Sequence, residues 1–172
     1  MLKRLSILAL LFTFMLPPNL SAQTKLTFAD DRLEMTVPGN WQLENEDMTE
    51  GVNSLMNYKS SYHSPDRAGS LHLDFSANDG VISAKALKML FGTRKVEGVE
   101  IIRSEILTIN EQDWFFKVTK YTGDEMPLYR HEFKTDTEQG MFQVSFSLKT
   151  TEASNANDIV DLMKQTMTIE SK

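Results

Sequence analysis

The side chains best suited to chemistry are three histidines, His63, His72 and His131, and a scatter of carboxylates; the chain has no cysteine. A bound metal needs two or three ligands converging on one point, with outer partners that orient them. His72 and Asp74 stand at i and i+2 in Leu71-His72-Leu73-Asp74-Phe75, so on a strand they share a face. The pair could ligate, but with no third ligand close by in sequence it reads as a polar, solvated sheet face. His131 lies between Tyr129 and Phe133 on one side of its strand, which predicts a partly buried, hydrogen-bonded imidazole. His63 sits in Ser60-Ser61-Tyr62-His63-Ser64-Pro65-Asp66, whose composition predicts a loop. Glu44, Glu46, Asp47 and Glu50 suggest calcium, yet their spacing departs from the EF-hand loop and no glycine stands at its turn position. A solvated acidic loop is expected there instead.

Motifs for other chemistries are missing. The sequence contains no G-x-S-x-G, S-x-x-K, H-E-x-x-H, G-x-x-x-x-G-K or G-x-G-x-x-G. Zero cysteine removes disulfides, thiolate metal sites and thiol nucleophiles. No catalytic residue, cofactor or metal site is therefore assigned. The formal charge of −6, from 18 Lys+Arg against 24 Asp+Glu, disfavours nucleic acid, which is captured by clustered cations.

Residues 1–22 address the chain. Lys3 and Arg4 open a cationic start, Leu5 to Leu16 is apolar apart from Ser6 and Thr13, and Pro17-Pro18 leads to Asn19-Leu20-Ser21-Ala22. This is the order of a secretory signal peptide, with cleavage expected after Ala22. The apolar run of about a dozen residues falls short of the roughly 20 that span a bilayer. The expected mature protein is a soluble, acidic domain over 23–172, exported and placed in a periplasm in preference to the outside medium. It has no membrane insertion after cleavage, and a monomer is expected.

Strands must position whatever site exists. Leu33, Met35 and Val37 alternate with polar residues before Pro38-Gly39-Asn40 breaks the segment. Leu71 to Phe75, Ile101 to Ile109, Trp114 to Tyr121, Leu128 to Lys134 and Phe142 to Leu148 repeat the period-2 pattern. Asn110 to Asp113, Gly123-Asp124-Glu125 and Asp136 to Gly140 are short polar connections, which predicts a four-strand antiparallel meander from Ile101 to Lys149. Asp30-Asp31 predicts a turn between strands at Leu26–Phe28 and Arg32–Val37. A helix is predicted over Ser83 to Phe91, with Ala84, Leu87, Leu90 and Phe91 on its buried face and Gly92 as its stop. A second helix is predicted after Ser154, burying Ile159, Leu162, Met163 and Thr166. The fold class is α+β, an antiparallel sheet of about six to eight strands flanked by two or more helices.

Three segments carry a family resemblance: Val37-Pro38-Gly39-Asn40-Trp41, the hairpin ILTINEQDWFFKVTKY at 106–121, and GMFQVSFSL at 140–148 before the last helix. In this order the chain resembles the PsbP-like fold from about Leu26 to Glu170. That fold is shared by photosystem II extrinsic subunits, a Ran-binding nuclear-import factor and many small exported bacterial proteins. The resemblance implies an α/β/α sandwich and a non-catalytic binding or assembly role, and it transfers no site residue.

Aromatic placement adds one functional cue. Trp114 and Phe116 share one strand face, while Phe115 and Tyr121 share the other. If that second face is uncovered, it forms an exposed apolar patch that marks a partner surface. A covering helix is the plainer expectation. His72, Asp74, Phe115 and Tyr121 are the candidate interaction surface. Three functions follow: a protein-binding or envelope-assembly factor; a carrier of a small hydrophobic ligand in a pocket lined by Met89, Leu90, Phe91, Phe142 and Phe146; and, with least support, a hydrolase built on His72 or His131.

Overall fold

A computed structural model describes residues 23–50, 56–77, 80–93, 96–123, 126–151 and 153–170. The expected leader (1–22) and Asp124-Glu125 of the third expected connection lie outside the described residues, as do the side chains of Glu50 and Ser154. Strand β1 (Gln23–Phe28) and strand β2 (Leu33–Pro38) form an antiparallel hairpin. Its turn runs through Ala29, Asp30 and Asp31, all at positive φ. Leu33, Met35 and Val37 point inward and are buried, as their alternation requires. Asn40 then takes φ 72°, a conformation asparagine tolerates better than most residues.

Strand β3 (Gln42–Glu50) pairs with strand β4 (Met56–His63). The acidic run and the serine-rich run expected as loops are therefore the two strands of a hairpin. Their strand signal was weak for a physical reason. Described side chains of β3 are exposed on both faces, so no apolar alternation is needed, and charge on such an edge discourages pairing with other chains. In β4 the inward positions are Tyr58, Ser60 and Tyr62, and a small hydroxyl sits between the two aromatics.

Strand β5 (Gly69–Ser76), helix α1 (Ala84–Phe91), strands β6 (Val99–Ile109), β7 (Gln112–Tyr121), β8 (Leu128–Thr137) and β9 (Gly140–Lys149), helix α2 (Ala153–Thr166) and strand β10 (Thr168–Ile169) follow among the described residues. The main sheet has seven antiparallel strands in the order β3-β4-β5-β9-β8-β7-β6. The predicted meander β6 to β9 is present, and its last strand closes against β5. A second sheet, β1-β2-β10, was not anticipated. Together with α2 it covers one face of the main sheet, where Leu71, Leu73, Phe75, Trp114, Phe116, Phe133, Phe142, Val144 and Phe146 form the principal core. The other face is polar along β4, β5 and β9 and is covered by α1 across β6, β7 and β8.

Both helices differ from expectation in which side they bury. In α1 only Leu87 is buried, while Leu90 and Phe91 are exposed. In α2 the fully buried stripe is Ala156, Val160 and Met163, continued by Met167 just past its end. Ile159, Leu162 and Thr166 are only half buried. Gly92 ends α1 as read, donating back to the Lys88 carbonyl at 2.8 Å, whereas Ser83, expected as the first helical residue, is the N-cap, its hydroxyl accepting from the Ala86 amide.

Candidate functional site

The expected surface residues do not form one site. His72 and Asp74 do share the polar face of β5, beside Ser61 and Lys59 on β4 and Ser145 and Gln143 on β9. His72 and Asp74, with Asn45, Lys59 and Ser61, line a shallow depression of about 180 Å³. No group of three or more His, Cys, Asp or Glu positioned to hold a metal occurs among the described residues. Phe115 is fully buried beneath α1, so it is not surface. Tyr121 is half buried at the far end of the same strand, paired with Val99 and Leu128, about 20 Å from Phe115 at 3.3 Å per residue. His63 ends β4, with Nδ1 2.9 Å from the Ser64 carbonyl oxygen.

The hydrophobic pocket expected from Met89, Leu90, Phe91, Phe142 and Phe146 is absent because the sheet separates them. Phe142 and Phe146 face α2 and the small sheet, whereas Met89, Leu90 and Phe91 belong to α1 on the opposite side. What α1 presents instead is an apolar surface: Met89 is 74% exposed and Leu90 62%. Val81 and Ile82 just before the helix and Ile106 on β6 are exposed as well. The Ile82 amide donates to Asp136 Oδ2 at 2.7 Å, which fixes the approach to the helix. At the other end, Lys117 donates to the Phe91 carbonyl at 3.5 Å, and Lys134 Nζ stands 4.1 Å over the Phe91 ring. From 81 to 96 the sequence holds Lys85, Lys88, Arg94 and Lys95 and no acidic residue, in a chain that is acidic as a whole.

On the core side, a cavity of about 300 Å³ opens between α2 and strands β6 to β8. Phe116, Val118, Tyr129 and His131 come from the sheet, Ile102 and Arg103 from β6, and Val160 and Lys164 from α2. Ile102 is the extra residue of a β-bulge between Ile101 and Arg103, which turns this stretch of edge strand toward the cavity. His131 is more buried than its sequence context predicts, at 1% exposure, and lies between the rings of Phe116 and Phe146. Its Nδ1 has no hydrogen-bond partner among the described residues. Such a buried polar atom costs about 1–3 kcal/mol. Burial pushes its pKa down to about 4, Asn157 raises it in part, and the charge of Lys164 lowers it further, so the ring is neutral at neutral pH.

Sequence reasoning missed the α1 surface and the cavity for different reasons. Met89-Leu90-Phe91 is a consecutive apolar triplet, and at 100° per residue three neighbours cannot all face one sheet, so a signal was present. The cavity draws on β6, β7, β8 and α2, and no local pattern marks it.

Comparison with known proteins places the fold. No family model and no curated protein matches the sequence. Among solved structures, the chain is similar to cyanobacterial PsbP (CyanoP) from Synechocystis sp. PCC 6803, with TM-score 0.60 and 12% identity over 90% of this chain and 96% of that one. It is similar to a Bacteroides thetaiotaomicron protein, TM-score 0.55 and 13% identity, covering 86% of this chain but 48% of the other. The Saccharomyces cerevisiae Ran-binding protein Mog1p matches with TM-score 0.53 and 12% identity over 86% and 95% of the two chains. The chain has the PsbP-like α+β fold.

Proposed function

We propose that this protein is exported through a leader cleaved near Ala22 and acts in the periplasm as a non-catalytic factor that binds a partner protein through the outer surface of α1. The observation that carries the reading is the exposed Met89–Leu90 pair on a helix that buries only Leu87. Exposed apolar residues clustered in this way mark interaction sites more often than chance. Lys85 and Lys88 flank the pair, so the partner presents an apolar surface bordered by acidic groups. Mog1p, of the same fold, is a Ran-binding protein, which supports protein binding as a use of this architecture. His72 and His131 sit on opposite faces of the sheet, so no single cleft joins them, which disfavours the hydrolase reading.

A photocrosslinking residue in place of Met89, with a second placed at Lys59 on the uncovered polar face, tests the surface in the organism's own envelope. A discrete adduct from position 89 alone, lost on Leu90→Asp, is expected. The same adducts from both positions would defeat the reading. The intact mass of the isolated protein reports cleavage in the same preparation. The alternative, a carrier of a small ligand, is favoured by the cavity beneath α2.

A further inference from the structure

We propose that the cavity beneath α2 binds a small organic carboxylate, a molecule with a compact apolar body and one anionic end. The inference rests on the carrier reading and is independent of the α1 surface, which lies across the sheet.

Volume sets the size of the body. An apolar cavity of about 150 Å³ accommodates benzene, and this one is about 300 Å³, which suits about ten to twelve heavy atoms. The walls set its character. Ile102, Phe116, Val118 and Val160 are apolar and come from three different elements, so an inserted body is enclosed on several sides. The mouth sets the polarity: Arg103 and Lys164 line it with Asp161, and Glu105 stands against Arg103, so what the two cations offer a ligand is their remaining N–H donors rather than an excess of charge.

Both cations are held in place before any ligand arrives. Arg103 pairs with Glu105 at 2.6 Å and lies 5.6 Å over the Phe116 ring. Lys164 pairs with Asp161 at 2.6 Å. A guanidinium has five N–H donors and an ammonium three, so each keeps donors for a second acceptor. Ordering such long side chains is part of the entropy a binding site must otherwise supply on association. The bulge at Ile102 brings Arg103 and an apolar wall residue to the cavity together, on an edge strand of the main sheet. The neutral His131 ring contributes a polar surface to the sheet side without adding charge to the interior.

The test uses 3-phenylpropionate as the probe, with 3-phenyl-1-propanol and 3-phenylpropylamine as partners of matched body and different charge. Methyl signals of Ile102, Val118 and Val160 and the ring nitrogens of His131 report occupancy by NMR. The acid is expected to shift these signals saturably with a Kd of about 1 mM or tighter. The alcohol should bind about tenfold more weakly and the amine more weakly still. Arg103→Gln combined with Lys164→Gln should reduce the acid to the affinity of the alcohol. Both positions are partly solvent-exposed, so the fold tolerates the change. Equal binding of all three probes would overturn the anionic class while leaving a carrier site. No shift at these methyls with any probe would overturn the inference and the carrier reading together, with the α1 surface unaffected.

Discussion

His131 pays for its position between Phe116 and Phe146 with a depressed pKa, about 4 against the ordinary 6.5. The unfolded chain takes up a proton first as pH falls, so stability is complete above about pH 6.5 and declines between 6.5 and 4. We expect the wild type to lose about 2 kcal/mol more than His131→Gln between pH 7.5 and 5, read from urea unfolding at both values. Identical pH slopes in the two proteins would mean that the folded ring protonates as freely as the unfolded one. Gly140 answers to backbone geometry instead. It opens β9 at φ 142°, and an added Cβ would stand 2.6 Å from the Ser76 carbonyl oxygen. Gly140→Ala is expected to cost about 2–3 kcal/mol, whereas Gly80→Ala, with nothing within 4 Å, should stay within about 0.5 kcal/mol. Denaturant midpoints of the two variants decide this. The sequence showed that His131 shares a face with aromatic neighbours; it did not show that α2 closes over that face, which is what desolvates the ring.

At the scale of elements, α1 separates what caps determine from what packing determines. Ser83 and Gly92 bound the helix, and the stop at Gly92 is legible in the sequence. Orientation is not, because Ala84, Leu87, Leu90 and Phe91 cover a wide arc and the sheet beneath offers room for a narrow one. Leu87 is the contact: it and Phe115 are both fully buried yet stand apart from the principal core. Leu87→Ala should destabilise by about 2–5 kcal/mol, while Met89→Ser should change stability by less than about 0.5 kcal/mol. A large stability loss from Met89→Ser would place that side chain in a contact rather than at a binding surface. The β3–β4 hairpin teaches the complementary point. Its pairing partner, β5, supplies the burial that makes β4 a strand, and β3 follows by hydrogen bonding to β4, so neither needed strong apolar alternation of its own.

At the scale of the whole molecule, one core joins both sheets and α2. Leu26, Phe28 and Leu33 from the small sheet, Phe75, Phe116 and Phe133 from the main sheet, and Val160 and Met163 from α2 belong to a single buried cluster. The described residues should therefore unfold in one cooperative step, with near- and far-ultraviolet circular dichroism transitions coincident in urea. Two separated transitions would show the small sheet folding apart from the main one. Alone, the sequence determined the α+β class, the β6 to β9 meander, the inward residues of β2, β5 and β9, and the stop of α1 at Gly92. Each of these depends on alternation or cap chemistry within a few residues along the chain. Tertiary structure alone decided that the ten strands among the described residues divide into sheets of seven and three, that Phe115 is covered while Met89 is not, and that Arg103, His131 and Lys164 border one cavity. Those outcomes depend on which face of the sheet each helix takes, and that choice is made by long-range burial between segments tens of residues apart, which leaves no periodic trace in either segment.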